Sequence, residues 1–266
     1  MPWQIELSND VAIVTMNSNP VNCQNEKFFS DLHQAFDRLE REFSDAPVVI
    51  TASGAVFSSG LDFEEVFLFF STASADDVYA WFQRYRAINL RVLTYPRPVI
   101  AAINGHAYAG GLVTALACDY RLAAEGDARF GLNEVPVGIP MPSTYLEFIK
   151  YAIGSRSSAL VSLFGQMYSG RQAMELGILH QICPKSELLE EAVTVARSFS
   201  RLSLEAYAVT KRALQFPVLQ TIEEISPSLD RAASSMLVSP DCRRAQAVAY
   251  RRLKGEPPPW AVELPG

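Results

Sequence analysis

The segment Arg97–Asp119, RPVIAAINGHAYAGGLVTALACD, constrains the fold more than any other part of the chain. Its apolar run from Arg97 to Ile103, at this length and with Pro98 near its start, reads as a buried strand. A turn rich in glycine (Gly105, Gly110, Gly111) then opens into Leu112–Cys118, which reads as the start of an apolar helix. A chain that leaves a buried strand and enters a helix in this way directs several free backbone N–H groups at one spot, with the positive end of the helix dipole behind them. Such a spot suits an anion, and glycine lets a ligand come close to the backbone.

The rest of the chain follows an α/β pattern. Gln4–Leu7 and Val11–Met16 flank Ser8-Asn9-Asp10 and read as a hairpin; residues 17–25 read as loop. Apolar positions at Phe28, Phe29, Leu32, Ala35, Phe36 and Leu39 predict a helix over Glu26–Phe43, and Pro47–Ala52 reads as a central parallel strand. A strand ends near Phe57, and Ser58-Ser59-Gly60 makes a tight turn. Asp62 then caps a helix whose face carries Phe63, Val66, Phe67 and Phe70 at helical spacing. A further helix, about Asp76–Leu93, leads into the glycine turn. Cys118–Ala124 reads as a strand, Ala128–Val137 as a short extended stretch, Thr144–Ala152 as a helix and His180–Cys183 as a strand. From Glu187 nearly to Lys254 the pattern is helical, with no linker composition to mark a separately folding domain.

With 266 residues and 49% hydrophobic side chains the chain can bury a large core. The 23 basic and 29 acidic residues give a net charge of −6, without a basic block beyond the Arg243-Arg244 and Arg251-Arg252 pairs, which disfavours nucleic acid as a partner. Cys23, Cys118, Cys183 and Cys242 lack CxxC spacing and are expected as reduced thiols; no metal site is expected. Neither MPWQIELSND nor the terminal ELPG carries a targeting pattern, and no apolar run is long enough to span a membrane, so a cytoplasmic protein is expected.

The motifs VFSSGLD, PVIAAINGHAYAGG, CDYRLAA and FGLNEVPVGI, in this order and spacing, resemble the enoyl-CoA hydratase/isomerase superfamily, the crotonase fold, along nearly the whole chain. The resemblance implies a crotonase-type ββα spiral over residues 1–195 and a helical C-terminal region over 196–266 that caps the site and assembles homotrimers or hexamers. It implies an acyl-CoA thioester as substrate, coenzyme A arriving as part of that substrate and no separate cofactor. Carried onto this sequence, the oxyanion hole consists of the backbone N–H groups of Leu61 and Gly110. Ser58, Gly60, Asp62, Phe67, Gly111 and Val113 are expected around the substrate.

Hydratases of the superfamily place one glutamate a turn into the helix after the glycines and another in the FGxxE stretch. Here the first position is Val113, which neither binds nor transfers a proton, and the second is Glu134. AGG followed by an apolar residue, then GLNE and VGIPMP, resembles the mitochondrial type of Δ3,Δ2-enoyl-CoA isomerase, for which a single carboxylate suffices. Glu134 is therefore expected to be the catalytic base of a 1,3-proton shift. Another crotonase-fold hydratase, lyase or hydrolase, with Glu64 or Glu65 as a second acid, is the alternative, followed by a non-catalytic acyl-CoA or RNA-binding member. His106 is expected to be non-catalytic. Lys211 and Arg212 lie on a helix of the kind that in relatives can approach CoA phosphates.

Overall fold

The computed structural model describes residues 3–260. Two sheets are built in alternation by a chain that three times lays one strand in each before a helix. The N-terminal hairpin β1 (Gln4–Ser8) and β2 (Val11–Met16) is followed by α1 (Glu26–Glu42). Next come β3 (Val48–Ala52), β4 (Val56–Ser58), α2 (Glu65–Thr72) and α3 (Ala75–Leu93). The glycine-rich segment forms β5 (Val99–Ile103), β6 (His106–Tyr108) and α4 (Gly110–Leu116). The third repeat of this pattern is β7 (Tyr120–Ala124), β8 (Arg129–Gly131) and α5 (Ser143–Phe164), which is kinked at Gly154. Then follow β9 (Tyr168–Ser169), α6 (Gly170–Glu175), β10 (Gln181–Cys183) and α7 (Leu188–Ser200). Helices α8 (Leu204–Glu224), α9 (Ser226–Leu237) and α10 (Pro240–Lys254) complete the described chain.

The larger sheet has the order β1-β2-β3-β5-β7-β10 and the smaller β4-β6-β8-β9. Among the described residues only β1–β2 and β8–β9 pair antiparallel; the other pairs are parallel, as in Val48↔Val99 and Ile100↔Tyr120. Each repeat of two strands and a helix thus advances the spiral by one step, the α/β architecture expected from the motifs.

Central strands such as VIAAI are apolar at consecutive positions because both faces of the larger sheet are covered. Ala12, Val14, Ile50, Ala101 and Ile103 face the main core, which also contains Phe28, Phe36, Phe57 and Phe130. The alternate residues Val11, Ile13, Val49, Ile100, Ala102 and Leu122 pack on Leu188, Ala192, Val193 and Ala196 of α7. Helix α7 is therefore part of the sheet's cover, and the expected division at residue 195 falls inside it. Helices α8 and α9 pack on α3 and α5. Residues 261–266 of the expected C-terminal region lie outside the described residues.

The structure departs from the sequence reading in several places. The glycine-rich turn contains a strand, β6, which joins β4 to β8; at three residues it is too short to show a period. The helix over Thr144–Ala152 continues through the Gly154 kink to Phe164, and a short strand, β9, follows it. Lys211 is buried and donates to Asp119 at 2.7 Å, while the same carboxylate oxygen accepts from Val99 N at 2.8 Å. This cation ties α8 to the β5 start and is not available to a phosphate. Arg212 lines a surface depression with Thr94 and Pro96.

Candidate active site

Two backbone turns meet where α2 and α4 begin. In the first, β4 ends at Ser58 and the chain reverses through Gly60 at φ 81°. Asp62 Oδ1 then accepts from Glu64 N at 2.9 Å and Glu65 N at 3.2 Å, capping α2 as the sequence suggested. In the second, β6 ends and Ala109 adopts φ 47° and ψ −127° just before Gly110 starts α4. That conformation is sparsely populated by residues other than glycine, and it turns the next peptide out of the strand direction. The turns touch: a Cβ built on Gly60 would lie 2.7 Å from Ala109 Cβ and 3.0 Å from Gly110 N. Among the described residues, neither the Leu61 nor the Gly110 N–H donates a backbone hydrogen bond outside the helix and strand ladders. Gly110, as the first residue of α4, has no partner within that helix.

Several of the expected site residues serve this frame instead of lining it. Ser58 is fully buried and donates through Oγ to Asn22 O at 2.8 Å. A Cβ on Gly111 would lie 2.4 Å from Ser58 O, so Gly111 is what lets α4 sit against β4. Val113 is packed in the main core and is not among the residues lining the cavity described below. His106 accepts from Arg129 N through Nδ1 at 3.0 Å and stacks on Tyr108, bracing β6 against β8.

The inner cavity, about 30 Å³, is lined by Ser59, Leu61, Phe63, Phe67, Ala109, Asn133, Glu134, Val137 and Ile139. Its only carboxylate among the described residues is Glu134, placed by β8 and by the tight turn in which Val137 N and Ile139 N donate to Glu134 O at 3.1 and 2.9 Å. Glu134 is 7% exposed, and its Oε2 has no hydrogen-bond partner among the described residues. Burial raises this carboxyl to a pKa of about 7; a hydrogen bond from its own backbone N–H opposes the rise only in part. A carboxyl poised there exchanges protons readily near neutral pH.

An outer groove of about 550 Å³ shares Ser59, Leu61, Phe63 and Asn133 with the cavity and runs past Asn19, Cys23, Asp62, Glu64, Tyr108 and Lys254. Glu64 pairs with Lys254 at 2.6 Å, and Glu65 accepts from Asn25 Nδ2 at 3.0 Å. Neither reaches the inner cavity. Cys23 donates to Asp62 Oδ2 at 3.1 Å; burial first, then that carboxylate, pushes its pKa up to about 12 and leaves it a poor nucleophile.

The cavity wall formed by α2 is aromatic. Phe67 is fully buried, with ring centroids 4.2 Å from Phe63 and 6.4 Å from Trp260, and Trp260 in turn packs on Tyr250 of α10. The phenylalanine stripe is therefore both core and cavity wall. Trp260, Asn133, Ala109, Val137 and Ile139 were not singled out from the sequence. Asn133 and Ile139 flank Glu134 closely enough for the FGLNEVPVGI motif to have suggested them, whereas nothing in the sequence indicates that Trp260 returns to α2.

The family model for enoyl-CoA hydratase/isomerase matches residues 6–240. A Bacillus subtilis protein named "Probable enoyl-CoA hydratase" is 30% identical over 199 residues, 74% of this chain and 76% of its own length. The human mitochondrial enoyl-CoA delta isomerase 1 is 27% identical over 207 residues, 77% of this chain and 67% of its own. The crystal structure of human mitochondrial delta3-delta2-enoyl-CoA isomerase superposes with a TM-score of 0.86 at 24% identity, covering 96% of this chain and 99% of that one, which shows a shared fold. With matching motifs, topology and near full-length coverage, the chain belongs to the enoyl-CoA hydratase/isomerase family of the crotonase superfamily.

Proposed function

We propose that the protein is an enoyl-CoA isomerase that converts a 3-enoyl-CoA to the 2-trans isomer with Glu134 as its single proton carrier. The observation that carries this reading is the Glu134 carboxyl, whose Oε2 has no hydrogen-bond partner among the described residues, in a cavity beside the Leu61 and Ala109–Gly110 turns. The thioester oxygen accepts hydrogen bonds from the N–H groups of Leu61 and Gly110. Glu134 removes a proton from C2, the electron pair delocalises into a dienolate held by those two donors, and the same carboxyl returns the proton to C4. Carbon loses and regains one proton, so the glutamate is restored each turnover and no water is consumed. Preorganised donors of this kind favour the dienolate over the ground-state thioester because they already point at the oxygen that gains charge.

Hydration of a 2-enoyl-CoA is the second reading, supported by the name of the Bacillus relative. It requires a second group to orient water, and the inner cavity offers Asn133 and Ser59 but no second carboxylate. Incubating the protein with 3-trans-, 3-cis- and 2-enoyl-CoA and identifying the products separates the two. Conversion of 3-enoyl to 2-enoyl thioester supports isomerisation, and 3-hydroxyacyl-CoA as the main product rejects it.

The poise of Glu134 sets the pH dependence. The free enzyme needs the carboxylate form, so kcat/KM is expected to rise with pH and level off above a midpoint near 7. A profile that stays flat from about pH 5 to 9 would show that no group of this kind limits the reaction.

An acyl chain needs more room than the inner cavity of about 30 Å³ offers, which is scarcely more than one or two waters require. The chain is accommodated by displacement of Phe63 or Phe67 at the start of α2. Phe67→Ala is expected to lower stability by about 3–5 kcal/mol as a buried aromatic is lost. It is also expected to raise the ratio of kcat/KM for long over short acyl chains by about tenfold or more. Equal losses on short and long substrates would leave Phe67 with a packing role alone.

A further inference from the structure

Gln24 lies between β2 and α1, in a stretch that shows no pattern in the sequence. It is completely buried, and its polar groups are fully engaged. Its backbone N–H donates to Gly60 O at 2.7 Å and its carbonyl accepts from Asp62 N at 3.0 Å, a one-residue parallel bridge to Leu61 that brackets the Leu61 N–H without using it. Its side chain turns to the other loop: Nε2 donates to Gly110 O at 3.2 Å and to Thr114 Oγ1 at 3.0 Å, and Oε1 accepts from the Tyr85 hydroxyl. Thr114 Oγ1 passes the chain on to Asn89 Oδ1 at 2.9 Å.

We infer that Gln24 is a positioning residue of the oxyanion hole, its peptide holding the Leu61 turn and its side chain the Gly110 turn so that the two N–H groups converge on one oxygen. This inference rests on the oxyanion-hole reading of the preceding section. The bonds end on Gly60 and Asp62, which bracket the Leu61 donor, and on Gly110, which carries the other donor, so they restrain both turns at the hole. The Gly110 turn needs such a restraint, because Ala109 occupies a conformation that persists only where surrounding contacts over-determine it.

An amide is the group that fits. Leucine would keep the main-chain bridge but leave the Tyr85 hydroxyl without its acceptor and remove one donor from Gly110 O. A carboxylate would accept from Tyr85 but could not donate to the Gly110 carbonyl. A Cβ on Gly110 would lie 2.0 Å from the Tyr85 hydroxyl and 2.4 Å from Gln24 Oε1, so the network is packed directly against the peptide it orients.

The test uses a saturated acyl-CoA carrying 13C at the thioester carbonyl, whose infrared stretch falls when the oxygen accepts strong hydrogen bonds. Wild type and Glu134→Gln are expected to show the same downward shift on binding, because the base does not hold the oxygen. Gln24→Leu is expected to lose most of that shift and to lower kcat by about 10- to 100-fold. Its KM and the pH midpoint of kcat/KM are expected to stay near wild type, which a general loss of structure would not leave in place. A full carbonyl shift with wild-type kcat in Gln24→Leu overturns the inference. Absence of the shift in both wild type and Glu134→Gln overturns the oxyanion-hole reading itself. If circular dichroism shows Gln24→Leu unfolded, Tyr85→Phe carries the test, because it frees Oε1 and keeps the main-chain bridge. A partial loss of the shift supports the positioning role, and an undiminished shift rejects it.

Discussion

Glu134→Gln is expected to lower kcat for isomerisation by about 10²- to 10⁴-fold, the usual contribution of a positioned general base. Binding of saturated acyl-CoA is expected to stay within about twofold of wild type, since the amide keeps the shape of the carboxyl and only the proton transfer is lost. The same substitution has a stability signature. The folded carboxyl titrates at about 7 against an ordinary 4.5, so between these values the native protein holds a proton that the unfolded chain has released. Stability therefore falls as pH rises through that window, and it is lowest above the folded value. Glutamine does not titrate. The Tm of Glu134→Gln is accordingly expected to gain on wild type between about pH 5 and pH 8. Wild-type turnover by the variant rejects Glu134 as the base, and a Tm difference independent of pH rejects the perturbed carboxyl.

Gly60→Ala is expected to reduce kcat by about 10²- to 10³-fold, the scale seen when one oxyanion donor is lost. The added methyl would lie 2.7 Å from Ala109 Cβ and 2.9 Å from Tyr108 O, and the residue would keep a φ of 81° that side chains resist. Relief requires the two turns to separate, which moves the Leu61 and Gly110 N–H groups apart. Gly54→Ala is the control. Gly54 has the same φ of 81°, but its nearest neighbour to an added Cβ is Pro20 O at 3.6 Å. Both variants are expected to lose about 1–3 kcal/mol of stability from backbone strain; only Gly60→Ala is expected to lose kcat. Equal kcat losses in the two would assign the effect to strain, and unchanged kcat in Gly60→Ala would remove the turn from the mechanism.

Much of the frame was legible because it depends on local chemistry. VIAAI is apolar throughout and VVITA at every position but Thr51, since each strand is covered on both faces, and the periods of α1 and α3 reflect a single buried stripe. Glycines at 60, 110 and 111 marked the two turns because a positive φ or a close backbone approach excludes a side chain. Short elements escaped: β6 and β9 have too few residues for a period, and their strand character comes from partners elsewhere in the smaller sheet.

The sequence by itself determined the family, the strand and turn that start α4, the place of Glu134 in its motif and the absence of a carboxylate at Val113. Those are properties of residue type and spacing. Tertiary structure alone decided that a buried Lys211 pairs with Asp119, that Ser58 and Val113 pack behind the cavity, that Trp260 returns to Phe67, and that Gln24 joins the two turns. The partners in these pairs are separated by tens to hundreds of residues. A polar side chain such as that of Gln24 or Lys211 carries no local mark of whether water or a distant carbonyl or carboxylate will satisfy it. Burial makes that choice, because a polar group removed from water must find its partner within the fold.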